Sequence, residues 1–126
     1  MIRHLLAVTL SFSVIACAEA QSDNPFNVEV ITSFDQPWAL AFMPDGRMLV
    51  TEKKGTLRIV TQDGQQSRAF RGLPDVDYGG QGGMGDVAIH PDFADNKLVY
   101  LSYAEGGIGA TRGAAVARGV LSESNN

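Results

Sequence analysis

The chain has 126 residues, a formal charge of −4 and 44% hydrophobic residues, which places it with ordinary folded proteins and excludes a disordered or fibrous one. Charged residues make up only 19%, with acidic groups in excess, so there is no basic surface for a phosphate backbone and nucleic acid is excluded as a partner. Fourteen glycines, nine of them from Gly79 to Gly113, oppose any continuous helix in the second half of the chain.

Residues 1–20 read as a secretory signal peptide. Arg3 and His4 open it, residues 5–16 form an apolar run broken only by Thr9, Ser11 and Ser13, and Ala18-Glu19-Ala20 is a small-x-small cleavage site ahead of Gln21. The run is shorter than the roughly 20 residues that cross a bilayer, and no later segment is apolar enough to span one. Val14-Ile15-Ala16-Cys17 also fits a bacterial lipoprotein box, in which Cys17 is lipidated and becomes the mature N-terminus. Cleavage between Ala20 and Gln21 is the favoured reading and predicts a periplasmic or secreted product. Lipidation of Cys17 would instead tether it to the outer membrane. After cleavage at Ala20 no cysteine is left, so no disulfide staples the fold.

Residues 21–27 form a polar N-terminal segment, and residues 28–126 read as short strands separated by turns. Residues 28–34 are rich in β-branched and apolar side chains, and Trp38-Ala39-Leu40-Ala41-Phe42 is a compact apolar run ending at Pro44. Pro44-Asp45-Gly46 is a tight turn, because proline presets its own φ, aspartate bonds the backbone ahead and glycine accepts positive φ. It predicts an antiparallel return over residues 47–51. Lys53-Lys54-Gly55 reads as an exposed hairpin tip, residues 56–61 as a third strand, and Asp63-Gly64 as the turn into a fourth at residues 66–70, giving a four-stranded meander.

An internal repeat sets the architecture. Leu40-Ala41-Phe42-Met43-Pro44-Asp45 and Val87-Ala88-Ile89-His90-Pro91-Asp92 share the pattern apolar-Ala-apolar-x-Pro-Asp at an offset of 47 residues, and an apolar strand follows each. A period of 40 to 50 built from short strands is the mark of a β-propeller blade. A chance pair of Pro-Asp hairpins is the plainer alternative. The 106 residues left after residue 20 hold about two such repeats, too few to close a ring, since propellers use typically 4 to 8 blades. The expectation is an all-β, partial β-propeller over residues 28–126, the N-terminal part of a longer protein, with open blade faces through which it self-associates.

Residues 75–86, Asp-Val-Asp-Tyr-Gly-Gly-Gln-Gly-Gly-Met-Gly-Asp, are the most unusual stretch. Five glycines in seven residues let backbone pass close to a bound molecule, and Gln81 among them carries an amide that both donates and accepts. The loop leads into the second blade, whose first strand lines the channel of a propeller. A merely flexible connection is the competing reading. Gly80-x-Gly82-x-x-Gly85 satisfies the dinucleotide fingerprint literally, but that motif needs a following helix and Pro91 stops the run, so NAD and FAD are set aside.

Gln36-Pro37-Trp38-Ala39-Leu40-Ala41-Phe42-x-Pro44-Asp45-Gly46, the Gly80-Gln81-Gly82-Gly83 loop and His90-Pro91-Asp92-Phe93 resemble, in order and spacing, the N-terminal part of the glucose/sorbosone dehydrogenase family, and within it the soluble periplasmic aldose sugar dehydrogenases. The resemblance covers residues 28 to about 121. It implies a six-bladed propeller that carries pyrroloquinoline quinone (PQQ) and calcium and oxidises the anomeric carbon of aldoses to lactones, passing electrons to an external acceptor. It implies further that Gln81 lies beside quinone and substrate, and that the catalytic histidine and most cofactor and calcium ligands belong to later blades. No catalytic or metal residue is therefore expected within this chain, and the chain alone is expected to be inactive. His90 stands where the first repeat has Met43 and reads as a turn residue rather than a base. Trp38 reads as blade packing rather than a substrate platform, and Asp75, Asp77 and Asp86 as solvated loop carboxylates rather than a calcium site. The competing class is a secreted, non-catalytic propeller that binds a carbohydrate or protein partner at the same channel mouth.

Overall fold

The structure, a computed structural model, describes residues 25–125, with only the backbone of Asn125. The predicted signal peptide, the Ala20–Gln21 cleavage point, Cys17 and the start of the polar segment lie outside the described residues. Strands β1 (Pro37–Phe42), β2 (Met48–Glu52) and β3 (Thr56–Val60) form one antiparallel sheet in that order, and β4 (Met84–Ile89), β5 (Leu98–Gly106) and β6 (Arg112–Val120) form a second. A single helical turn, α1 (Phe93–Asn96), interrupts the β4–β5 corner, and a 3-10 turn (Glu123–Asn125) closes the described chain. The fold is all-β, two successive propeller blades, and among the described residues no helix is long and apolar enough to cross a membrane.

The repeat is real in three dimensions. β1 and β4 begin and end 47 residues apart (84 − 37 and 89 − 42), and both carry one extra residue near their starts, between Pro37 and Ala39 and between Met84 and Val87. In each bulge the backbone N–H that the ladder leaves unpaired finds a hydroxyl on the next strand. Ala39 N donates to Thr51 Oγ1 at 3.1 Å, and Asp86 N donates to Ser102 Oγ at 2.8 Å. Thr51, wholly buried, also donates to Gly85 O at 2.8 Å, so one side chain ties the two sheets together.

Burial alternates along β1, whereas β2, the middle strand of its sheet, is buried from Leu49 to Glu52. Leu49, Leu57 and Ile59 of the first sheet meet Met84, Val87, Val99 and Leu101 of the second, with Met43, Phe70 and Phe93 closing the ends. Each such side chain contributes about 1.5–3 kcal/mol by leaving water. The other face of β1, Trp38, Leu40 and Phe42, is more than half exposed, as are Val116 and Val120 on β6.

Two expected strands are not formed. Residues 28–34 have no ladder partner; Val28 and Val30 are exposed, and the segment is held by side chains, Gln66 Nε2 donating to Thr32 Oγ1 and Ser33 O. The fourth strand at residues 66–70 shrinks to one bridge, Val60 with Gln66. Ser67 N donates to Ile59 O and Phe70 N to Leu57 O, so the outer chain advances three residues for two on β3 and loses register. Ser67 Oγ, not a carbonyl, receives the Ile59 N–H.

Candidate functional site

The loop between the sheets, residues 77–83, is positioned from both sides. On one side, Asp77 N donates to Ala104 O of β5, and Asp77 Oδ1 accepts the Gly79 N–H at 3.1 Å. The Arg112 Nε at the start of β6 donates to Asp77 Oδ2 at 2.6 Å. The Gly79 N–H and then Arg112 hold the Asp77 carboxyl below the usual carboxylate range. On the other side, Lys53, from the β2–β3 turn, donates its ammonium to Gly80 O at 2.7 Å, and its own carbonyl accepts Met84 N at 2.9 Å.

Glycine is required here at two positions. A Cβ on Gly82 would run into Asp77 O, and one on Gly83, whose φ is +108°, would run into the Lys53 carbonyl. Backbone packing that close leaves the exposed Gln81 side chain at the rim of an open concavity of about 550 Å³. Trp38, Tyr103, Ser102 and Arg112 line the same hollow, as do the glycines of the loop. Arg112 is the only charged group there, and its two terminal nitrogens have no hydrogen-bond partner among the described residues. The site therefore offers an amide, an indole face, a phenol ring and a guanidinium to a flat or hydroxylated polar molecule.

Several residues fall elsewhere. Trp38, expected to pack within the blade, is 56% exposed, because it lies on the outer face of β1 with Leu40 and Phe42, and there it borders the hollow. Lys53, read with Lys54 as an exposed tip, is half-buried over the Tyr78 ring at 5.1 Å, while Lys54 does stand in solvent beside Asp35. His90 sits at the far end of β4 from the loop. Its Nδ1 accepts the Asp92 N–H at 3.0 Å and lies 2.9 Å from the Asn96 amide nitrogen, so it braces the turn that leads into α1. Asp75, Asp77 and Asp86 do not converge: Arg112 takes Asp77, and Asp86 Oδ1 accepts its neighbour's Val87 N–H. The sequence did not place Lys53, Tyr78 or Arg112 at the loop, since their partners are 25 or more residues away.

The sequence profile described as glucose/sorbosone dehydrogenase matches residues 34–126. The chain is 46% identical over 99 residues to the aldose sugar dehydrogenase YliI of Escherichia coli, covering 77% of this chain and 27% of that protein. The soluble aldose sugar dehydrogenase of Escherichia coli, solved in its apo-form, superposes with a TM-score of 0.73 at 44% identity, over 79% of this chain and 29% of that one. The PQQ-bound form of aldose sugar dehydrogenase from Streptomyces coelicolor gives a TM-score of 0.64 at 27% identity, over 75% and 27%. The chain thus spans little more than a quarter of the length of these relatives.

Proposed function

The chain belongs to the glucose/sorbosone dehydrogenase family, and on that premise we propose that it is the N-terminal part of a quinone-dependent dehydrogenase that oxidises the anomeric carbon of aldoses to lactones. The observation that carries the reading is the Gln81 amide, held at the rim of a concavity by glycines that leave no room for side chains, within the segment that matches the family.

The residues present fit one side of a flat, carboxylate-bearing quinone. Trp38 offers an aromatic face, Gln81 an amide that donates and accepts, and Arg112 two terminal nitrogens suited to a carboxylate. When bound, PQQ supplies the acceptor for the hydride that leaves the sugar. This chain's part is binding and orientation: Gln81 directs its amide to bound oxygens, and the close-packed backbone at Gly82 and Gly83 fixes the loop that carries it. The general base and the calcium ligands are assigned to no residue of the chain, and the 126 residues by themselves are inactive in this reading. The N-terminal pattern of residues 1–20 supports export to the periplasm.

The test loads the full-length gene product with PQQ and calcium and follows dye reduction with a panel of aldoses. Reduction that falls at least about tenfold on Gln81→Ala supports the reading. A well-folded, PQQ-loaded protein that reduces no dye with any aldose overturns it in favour of a carbohydrate- or protein-binding propeller.

A further inference from the structure

We propose that Lys53 is the positioning residue of Gln81, acting from the first blade on a loop that belongs to the second. This inference deepens the functional reading above and rests on it for its consequence in catalysis, but the geometry stands by itself.

Lys53 touches the loop on both sides of Gln81. Its ammonium takes Gly80 O, one residue before Gln81, at 2.7 Å, and its carbonyl takes Met84 N, three residues after, at 2.9 Å. Between these points the loop crosses the Lys53 backbone so closely that Gly83 admits no Cβ. Lys53 is itself held in place. Its N–H donates to Gln36 O at 2.9 Å, its ammonium lies 5.1 Å from the centre of the Tyr78 ring, and Tyr78 OH donates to Gln36 Oε1 at 2.6 Å. Gln36 adopts a φ of 55°, a left-handed conformation that costs energy for a side chain with a Cβ, and so aims its amide oxygen and its carbonyl at two partners of one assembly. An ammonium-to-carbonyl bond is charge-assisted, and the Tyr78 ring adds a cation–π contact to the same ammonium. Gly80 sits at φ +58°, so the carbonyl that Lys53 grips belongs to the residue that swings Gln81 towards the hollow.

The experiment uses Lys53→Met, which keeps the stem and the backbone carbonyl, with Lys53→Arg as the conservative variant and Lys54→Met as the control. Amide exchange is read in the full-length gene product. Lys53→Met is expected to speed exchange at Gly82 by about tenfold while Leu49 and Ile59 in the sheets are unchanged, Lys53→Arg restores most of the protection, and Lys54→Met has no effect. Unchanged exchange at Gly82, or acceleration spread equally through both sheets, overturns the proposal. If the dehydrogenase reading also holds, Lys53→Met lowers kcat/KM with no change in the melting temperature of the sheets. Dye reduction absent in every form, with the exchange pattern intact, leaves the clamp standing and removes only the enzyme.

Discussion

At the residue scale the loop glycines are not equivalent, although the sequence shows them as one run. Gly80 and Gly83 both have positive φ, but only at Gly83 does a Cβ meet backbone, that of Lys53. Gly80→Ala is expected to cost about 1 kcal/mol, the ordinary penalty of the left-handed region, whereas Gly83→Ala costs about 2–3 kcal/mol because the Lys53 carbonyl must move. Urea melts of the two variants check this, and equal losses would contradict the close approach. Asp77 gives a pH dependence of known sign. Its folded value lies below that of the unfolded chain, so the stability it adds is complete above the usual carboxylate range and is lost as pH falls through the lowered folded value. Exchange at Gly79, whose N–H the carboxylate holds, is expected to rise as Asp77 protonates, and Asp77→Asn removes that acid response. The loop that carries Gln81 was legible because its glycines cluster in seven residues. Lys53, Tyr78 and Arg112 were not, because only the tertiary fold brings the β2–β3 turn and the start of β6 to the loop.

At the scale of elements, the two bulges show how each first strand is fixed. Thr51 accepts from Ala39 and donates to Gly85 across the sheet boundary. Thr51→Val keeps the shape and leaves the two backbone groups unpaired, so a loss of about 1–3 kcal/mol is expected in thermal or urea unfolding. Thr51→Ser is expected to retain most of the stability. The outer tie at the opposite end is weaker. Arg47 makes a forked bond to Glu123 at 2.8 and 3.0 Å, but Glu123 is largely in solvent, so Glu123→Gln costs less than about 1 kcal/mol. The strands that the sequence located, β1 to β5, are those with side chains in or against the shared core. The stretch at residues 28–34 has the same β-branched composition, yet composition cannot supply a neighbouring edge, and its hydrogen bonds go to side chains. Residues 66–70 fail for a second reason, a one-residue slip against β3 that the Asp63-Gly64 turn does not reveal.

On the scale of the whole molecule, the sequence period of 47 translated directly into blade spacing, because a register pinned by bulge and turn leaves little freedom for the strands between. What the period could not show is which side of each sheet is covered. Leu40 and Phe42 on the first sheet and Val116 and Val120 on the second point away from the common core into solvent. Residues 21–126 alone are therefore expected to associate through these faces, and sedimentation velocity on Leu40→Lys with Val116→Lys is expected to show a shift towards monomer. A sharp monomer without the substitutions would contradict this. The two hairpin corners differ in length, five residues between the paired Phe42 and Met48 against nine between Ile89 and Val99, yet the strands on either side keep the same facing. The additional four residues are absorbed by α1, which buries Phe93 and leaves Ala94 and Asp95 in solvent. That corner holds the additional length with Ala94 and Asp95 exposed, which makes it a grafting point. An Asp95→Cys change in residues 21–126, which contain no cysteine, provides a unique thiol for a fluorophore that reports on the second blade while leaving the hollow around Gln81 untouched.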